Sequence, residues 1–256
     1  GALLYMVVFV PQFGFKGVWI AIFTSISAFC NAGIDIISEN SLCDYATNPV
    51  INAVTCVLII LGGIGYIVWW DFARVIKNSK KFSIKSLRNL TLHSKIALWT
   101  TGILIFAGTI AVFLFEYNNP ATMKDYSLFE KIQASFFQSV TTRTAGFATI
   151  PQQDLMNSTS IVSLLLMFIG GSPVGTAGGV KTVTIAILFA TAVSAVKNRN
   201  EVNIYNRNIS RHSIMVNNPE LLIGFITPEL KTRAQEETSK DKQIYFFEKQ
   251  LKMSLE

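Results

Sequence analysis

Apolar and polar positions fall in blocks along this chain. Residues 1–11 are an apolar run that ends near Pro11, where proline predicts the end of a helix. Residues 15–29, "FKGVWIAIFTSISAF", are a second run, too short for a hydrocarbon core that takes roughly 20 helical residues to cross. A polar stretch leads to Pro49, and residues 50–72, "VINAVTCVLIILGGIGYIVWWDF", are long enough to span. Tyr66, Trp69, Trp70 and Phe72 suit an interfacial aromatic belt at the inner end of that span. The order then recurs. Residues 96–117 can span, 118–126 are turn-rich, 127–140 are again too short, and 159–196 are a long apolar run interrupted by "GGSPVGTAGG". The pattern predicts an all-α integral membrane fold with a repeated unit of span, short helix, turn and span.

Composition supports this class. Half of the residues are hydrophobic and 15% are charged, against about 25% in a soluble domain. Charge placement says more than the net +6. Residues 73–95 carry Arg74, Lys77, Lys80, Lys81, Lys85, Arg88 and Lys95 without an acid, and 197–211 carry four basic residues against Glu201. Asp35, Glu39 and Asp44 lie in 31–49, which has no Lys or Arg. The positive-inside rule places the basic segments in the cytoplasm and 31–49 outside. Basic loops beside membrane spans then account for the high pI, and no nucleic-acid partner is expected. Both basic segments share a side only if each short helix enters and leaves on the outside, which makes it re-entrant. Irregular backbone at that depth is tolerated where protein or a water-filled cavity satisfies it.

The two turns carry the candidate chemistry. "SAFCNAGIDI" (27–36) and "SVTTRTAGFATI" (139–150) each follow a short helix and place Ala-Gly before a bulky apolar residue. Backbone carbonyls can replace a cation's hydration shell, and glycine reaches the required backbone angles without a Cβ penalty. The candidate ion-binding turns are therefore Asn31, Ala32, Gly33 and Ile34, and Thr144, Ala145, Gly146 and Phe147. The alternative is that glycine and alanine simply permit close helix packing. Arg143 beside the second turn supports it by bonding carbonyls or an acid, repels a cation, or snorkels to the interface.

"GGSPVGTAGGVK" (170–181) breaks the last span, since glycine and proline both disfavour a continuous helix. Gly170, Gly171, Ser172, Pro173, Gly175, Thr176, Gly178, Gly179 and Lys181 form a candidate gate, with a simple kink as the alternative. Lys181 either reaches the cytoplasm or pairs inside the bundle. The glycine spacing does not match a phosphate-binding loop. Cys30, Cys43 and Cys56 and the two histidines show no metal or redox spacing, and no catalytic constellation is legible, so neither an enzyme nor a cofactor is expected. "IILGGIGY" (59–66) aligns loosely with "FIGGSPVG" (168–175).

Together "SAFCNAGIDI", "QSVTTRTAGFATI" and "MFIGGSPVGTAGGVKTVT" resemble the Trk/Ktr/HKT superfamily of cation transporters, over about residues 1–200. The resemblance implies a pore of four joined units (helix, pore helix, filter loop, helix), with Gly33 and Gly146 as two of four filter glycines and 170–179 as the intramembrane gate loop. It implies potassium uptake, with sodium as the alternative or coupling ion, a homodimer in the cell membrane, and a cytoplasmic nucleotide-binding regulatory subunit. Two units are recognisable: 1–78 as the second, incomplete at its start, and 96–196 as the third. Residues 79–95 are then a cytoplasmic basic loop and 197–256 a cytoplasmic polar tail. The chain therefore reads as a fragment of such a subunit. The competing readings are a non-conducting membrane partner and a broken-helix secondary transporter.

Overall fold

The computed structural model describes residues 1–38, 40–78, 89–196, 202–204 and 207–209. Gly1–Ala186 forms one compact unit and Ile187–Glu256 a second. The elements around the candidate site belong to the first.

The first unit opens with α1 (Ala2–Phe13) and α2 (Phe15–Phe29), which pack against each other. The expected stop at Pro11 falls two residues late: Pro11 sits inside α1, and the chain turns at Gly14, whose φ is +58°. Proline lacks one donor and constrains the residue before it, yet α1 continues for a further half turn. Glycine at a left-handed φ is what ends it. Tyr5 and Phe9, four residues apart, stack at 5.6 Å between ring centroids and are fully buried. At 15 residues α2 is about 22 Å long, and it ends where the first glycine turn begins.

Asn48 starts α3 (Pro49–Gly63) by accepting the amides of Val50 and Ile51, with Pro49 at the first helical position. Here the structure corrects the sequence reading. Residues 50–72 are not one continuous span: α3 ends at Gly63, the backbone turns at Gly65 with φ +88°, and α4 (Tyr66–Asn78) leaves at 93°. Val68, Asp71 and Val75, one helix stripe, face inward on α4, while Tyr66, Trp69 and Trp70 remain exposed. The Asp71 carboxylate meets Arg74 and accepts from the amide (2.7 Å) and hydroxyl (2.9 Å) of Thr91. That ties α4 to the start of the next helix.

The second repeat follows the same order. Among the described residues, α5 (Leu92–Glu116) is the one helix long and apolar enough to cross a membrane by itself. Then come the short α6 (Leu128–Thr141), the second glycine turn, and α7 (Asn157–Phe168). A reciprocal capping box between Ser127 and Glu130 fixes the start of α6. Beyond α7 the chain is non-helical until α8 (Thr182–Val196), so the predicted interruption of the last run is present. The repeats meet where α3 packs on α6. A core that includes Phe9, Ile20, Ile51, Ile59, Phe137 and Phe147 runs through both. Glu116, fully buried at the end of α5, accepts from Asn119, Thr122 and the Met156 amide, joining α5 to the start of α7. Phe106, Leu114, Leu164 and Leu165 lie on the surface, as lipid-facing side chains do.

In the second unit a short antiparallel hairpin pairs β1 (Val202–Ile204) with β2 (Arg207–Ile209). Residues 210–256 of the polar tail expected over 197–256 lie outside the described residues.

Candidate ion-binding site

The two glycine turns share a backbone signature. φ is positive at Asn31 (+51°) and Gly33 (+66°), and again at Thr144 (+69°) and Gly146 (+89°). The intervening Ala32 and Ala145 are not in that region. Asparagine tolerates a left-handed φ, but for a β-branched threonine it is a strained conformation that the surroundings must impose. At Thr144 the hydroxyl accepts the Gly178 amide at 2.8 Å, a contact that holds the residue in place.

The turns also touch. A Cβ on Gly33 would lie 2.5 Å from the Ala145 carbonyl oxygen and 2.7 Å from the Gly146 Cα. The structure therefore brings together, backbone to backbone, two segments that the sequence separates by more than a hundred residues.

In each turn the alanine amide is spent on the preceding helix. Ala32 N–H donates to Ser27 O and Ala145 N–H donates to Thr141 O. The exit carbonyl of each turn is also engaged. Ser27 Oγ donates to Ile34 O (2.5 Å), and Thr141 Oγ1 donates to Phe147 O (2.6 Å). Sequence reasoning did not single out these two hydroxyls. Their signal was a small polar residue near the end of each short apolar helix. One asymmetry separates the turns: Phe147 is buried in the core, whereas Ile34 is exposed.

Residues 170–181 lie against both turns. The segment returns on itself, with Gly170 N–H donating to Val180 O and Gly171 N–H to Gly178 O. Thr176 is its contact with the first turn: it accepts Asn31 Nδ2 at 2.6 Å and donates to Phe29 O at 3.0 Å. Gly178 reaches the second turn through Thr144. Arg143, nine-tenths buried, donates from its guanidinium to Gly170 O at 2.8 Å. Of the roles weighed for Arg143, carbonyl binding is the one observed, and the carbonyl belongs to the 170–181 segment. Lys181 donates to Ala177 O at 2.8 Å, inside the same segment.

A third support comes from the break between α3 and α4. Ser172 N–H donates to Gly63 O, Thr176 N–H to Gly62 O, and Tyr66 N–H to Val174 O. A Cβ on Gly62 would overlap Phe29 O, so glycine there lets α3 approach the end of α2. The two glycine-rich stretches that align loosely in sequence are thus in direct contact. Val174, at φ +60°, is a second strained β-branched residue. All the predicted turn residues and 170–178 therefore converge on one region, and Gly62, Gly63, Ser27 and Thr141 join them.

An all-helical repeat with paired short helices, facing left-handed turns and a broken helix folded against them defines a channel-like membrane protein. The family follows from comparison: a family model described as TrkH, cation transport protein, matches residues 3–222. The chain belongs to that family, a family of cation transporters rather than enzymes, and is a membrane protein. It is 37% identical over 231 residues to the potassium/sodium uptake protein NtpJ of Enterococcus hirae, covering 90% of this chain and 48% of that protein. It is 35% identical over 209 residues to Ktr system potassium uptake protein B of Bacillus subtilis, covering 81% of this chain and 45% of the relative. The chain thus spans about half the length of the curated relatives it matches. The crystal structure of the potassium transporter TrkH from Vibrio parahaemolyticus has the same fold, with a TM-score of 0.64 at 18% identity over 84% of this chain and 43% of that one.

Proposed function

We propose that this chain forms two of the walls of a potassium-conducting pore in the translocating subunit of a Ktr- or Trk-type uptake system. One observation carries the reading: two turns, each after a helix too short to span, share the same alternation of φ and pack backbone to backbone. Positive φ on both sides of the central alanine holds each turn in an unusual backbone conformation, which glycine reaches without a Cβ penalty. The Ala32 and Ala145 amides are already bonded to the preceding helices, and the backbone carbonyls of the turns suit a dehydrated cation. The hydroxyls of Ser27 and Thr141 occupy the carbonyls of Ile34 and Phe147. The ion ligands are then the carbonyls of residues 31–33 and 144–146.

In this reading 170–181 gates the pore, latched to both turns by Thr176, Gly178 and Arg143. The turns face outside, and the basic segments 73–95 and 197–211 face the cytoplasm. Potassium is the transported ion, with sodium as a second or coupling ion. The names of the two relatives support this choice. A ring made from half its walls leaves polar backbone against lipid, so the pore closes with further units, and the assembled subunit works as a homodimer. A cytoplasmic nucleotide-binding subunit regulates it, a role that fits the multi-component systems for which the Ktr relatives are named.

The test is rubidium influx at low external potassium, in cells lacking their own uptake and expressing the complete protein. Gly146→Ser is expected to cut influx or degrade the preference for potassium over sodium. Unchanged influx together with unchanged preference would remove the turns from the conduction path.

A further inference from the structure

Behind the two turns lies a cavity of about 10 Å³ whose polar lining comes from Asn31, Thr101 and Arg143. Each of the three residues is more than nine-tenths buried. Each also keeps one polar atom without a protein partner: Asn31 Oδ1, Thr101 Oγ1 and Arg143 Nε. The neighbouring bonds fix what these atoms offer. Thr176 gives its hydroxyl proton to Phe29 O, so it accepts from Asn31 Nδ2, and the amide orientation leaves Oδ1 as a free acceptor. Arg143 Nε is a donor, while another of its nitrogens already holds Gly170 O. Thr101 can do either.

From this set we infer that the cavity is a binding site for a single structural water that joins α5, the first turn and Arg143. A volume of this size admits one water and little else, and two to four polar partners are what a buried water needs. An acceptor, a donor and a hydroxyl complete its hydrogen bonding. A cation is disfavoured by the guanidinium, and an anion by the Asn31 carbonyl oxygen.

The site has a consequence for the proposed gate and in that respect rests on the gating reading. Asn31 grips the 170–181 segment through Thr176, and Arg143 grips it through Gly170. The water braces both side chains against Thr101, a residue outside the turns. Loss of the hydroxyl at Thr101 therefore loosens both grips together.

The test uses the complete protein. A map fine enough to place waters is expected to show one density peak within hydrogen-bonding distance of all three atoms in the wild type. Thr101→Val is expected to lose that peak and Thr101→Ser to keep it. One ordinary hydrogen bond corresponds to about a fivefold change in an equilibrium. Basal rubidium flux in Thr101→Val is therefore expected to rise severalfold, with Thr101→Ser near wild type. No peak in the wild type overturns the site, whether or not any variant folds. A peak with unaltered Thr101→Val flux overturns its role at the gate. Neither result depends on the filter reading, which Gly146→Ser tests separately.

Discussion

Among individual residues, Gly33 and Gly146 look equivalent in sequence, but their surroundings differ. A Cβ on Gly33 would press into the backbone of the opposite turn at 2.5 and 2.7 Å, whereas the nearest atom to one on Gly146 is 3.1 Å away. Both positions also hold a left-handed φ, which costs a non-glycine residue about 1–2 kcal/mol. Gly33→Ser adds displacement of backbone to that cost. In the rubidium assay it is predicted to be the more damaging substitution by about tenfold or more, the ratio that a further 1.4 kcal/mol gives. Equal losses would show that strain, and not the contact between turns, sets the effect. The sequence made the turns legible because glycine and small neighbours mark unusual backbone. It could not reveal Thr144 or Val174 as strained, since their φ values are imposed by distant bonds. Nor could it say which carbonyl Arg143 would bind.

At the level of elements, the two short helices are each set by their ends. The start of α6 rests on the box between Ser127 and Glu130. The hydroxyl and amide of Ser127 both donate to the Glu130 carboxylate and hold it below the usual glutamate range. A lowered folded value means that the contribution is full above the ordinary value of 4.5 and fades as pH falls through the lowered one. Glu130→Ala should thus lower the thermal midpoint by the same amount at neutral and mildly acidic pH, and by less once the carboxylate protonates. Thermal unfolding of both proteins across that range checks it, and a gap that widens in acid would contradict it.

The 170–181 segment is set by other elements instead, through the α3–α4 break and both turns. Deleting 173–178 removes Thr176 and Gly178, two of its links to the turns. Flux through the complete protein is predicted to rise, and unchanged flux would make the segment a kink. Helix positions were readable from apolar run length, and α2 and the interruption before α8 fall where the runs predicted. The α3–α4 bend was not readable, because its cause is long-range. Tyr66 and Ser172 supply bonds across more than a hundred residues, while the apolar pattern runs on through Gly65.

For the whole molecule, the repeat is the organising fact. Two copies of helix, short helix, turn and helix pack through α3 and α6, so that the turns face each other and the broken segment closes against them. The sequence carried the repeat and its family motifs, and membership of the TrkH family accords with them. The contact between the copies, and the hydroxyls that confine the free carbonyls to three per turn, required the folded chain. The central claim is that those carbonyls bind the transported ion. Anomalous diffraction from crystals of the complete protein grown in rubidium tests it most directly. A rubidium peak at coordinating distance from the carbonyls of residues 31–33 and 144–146 is predicted. Rubidium bound elsewhere, with no peak between the two turns, would contradict the account.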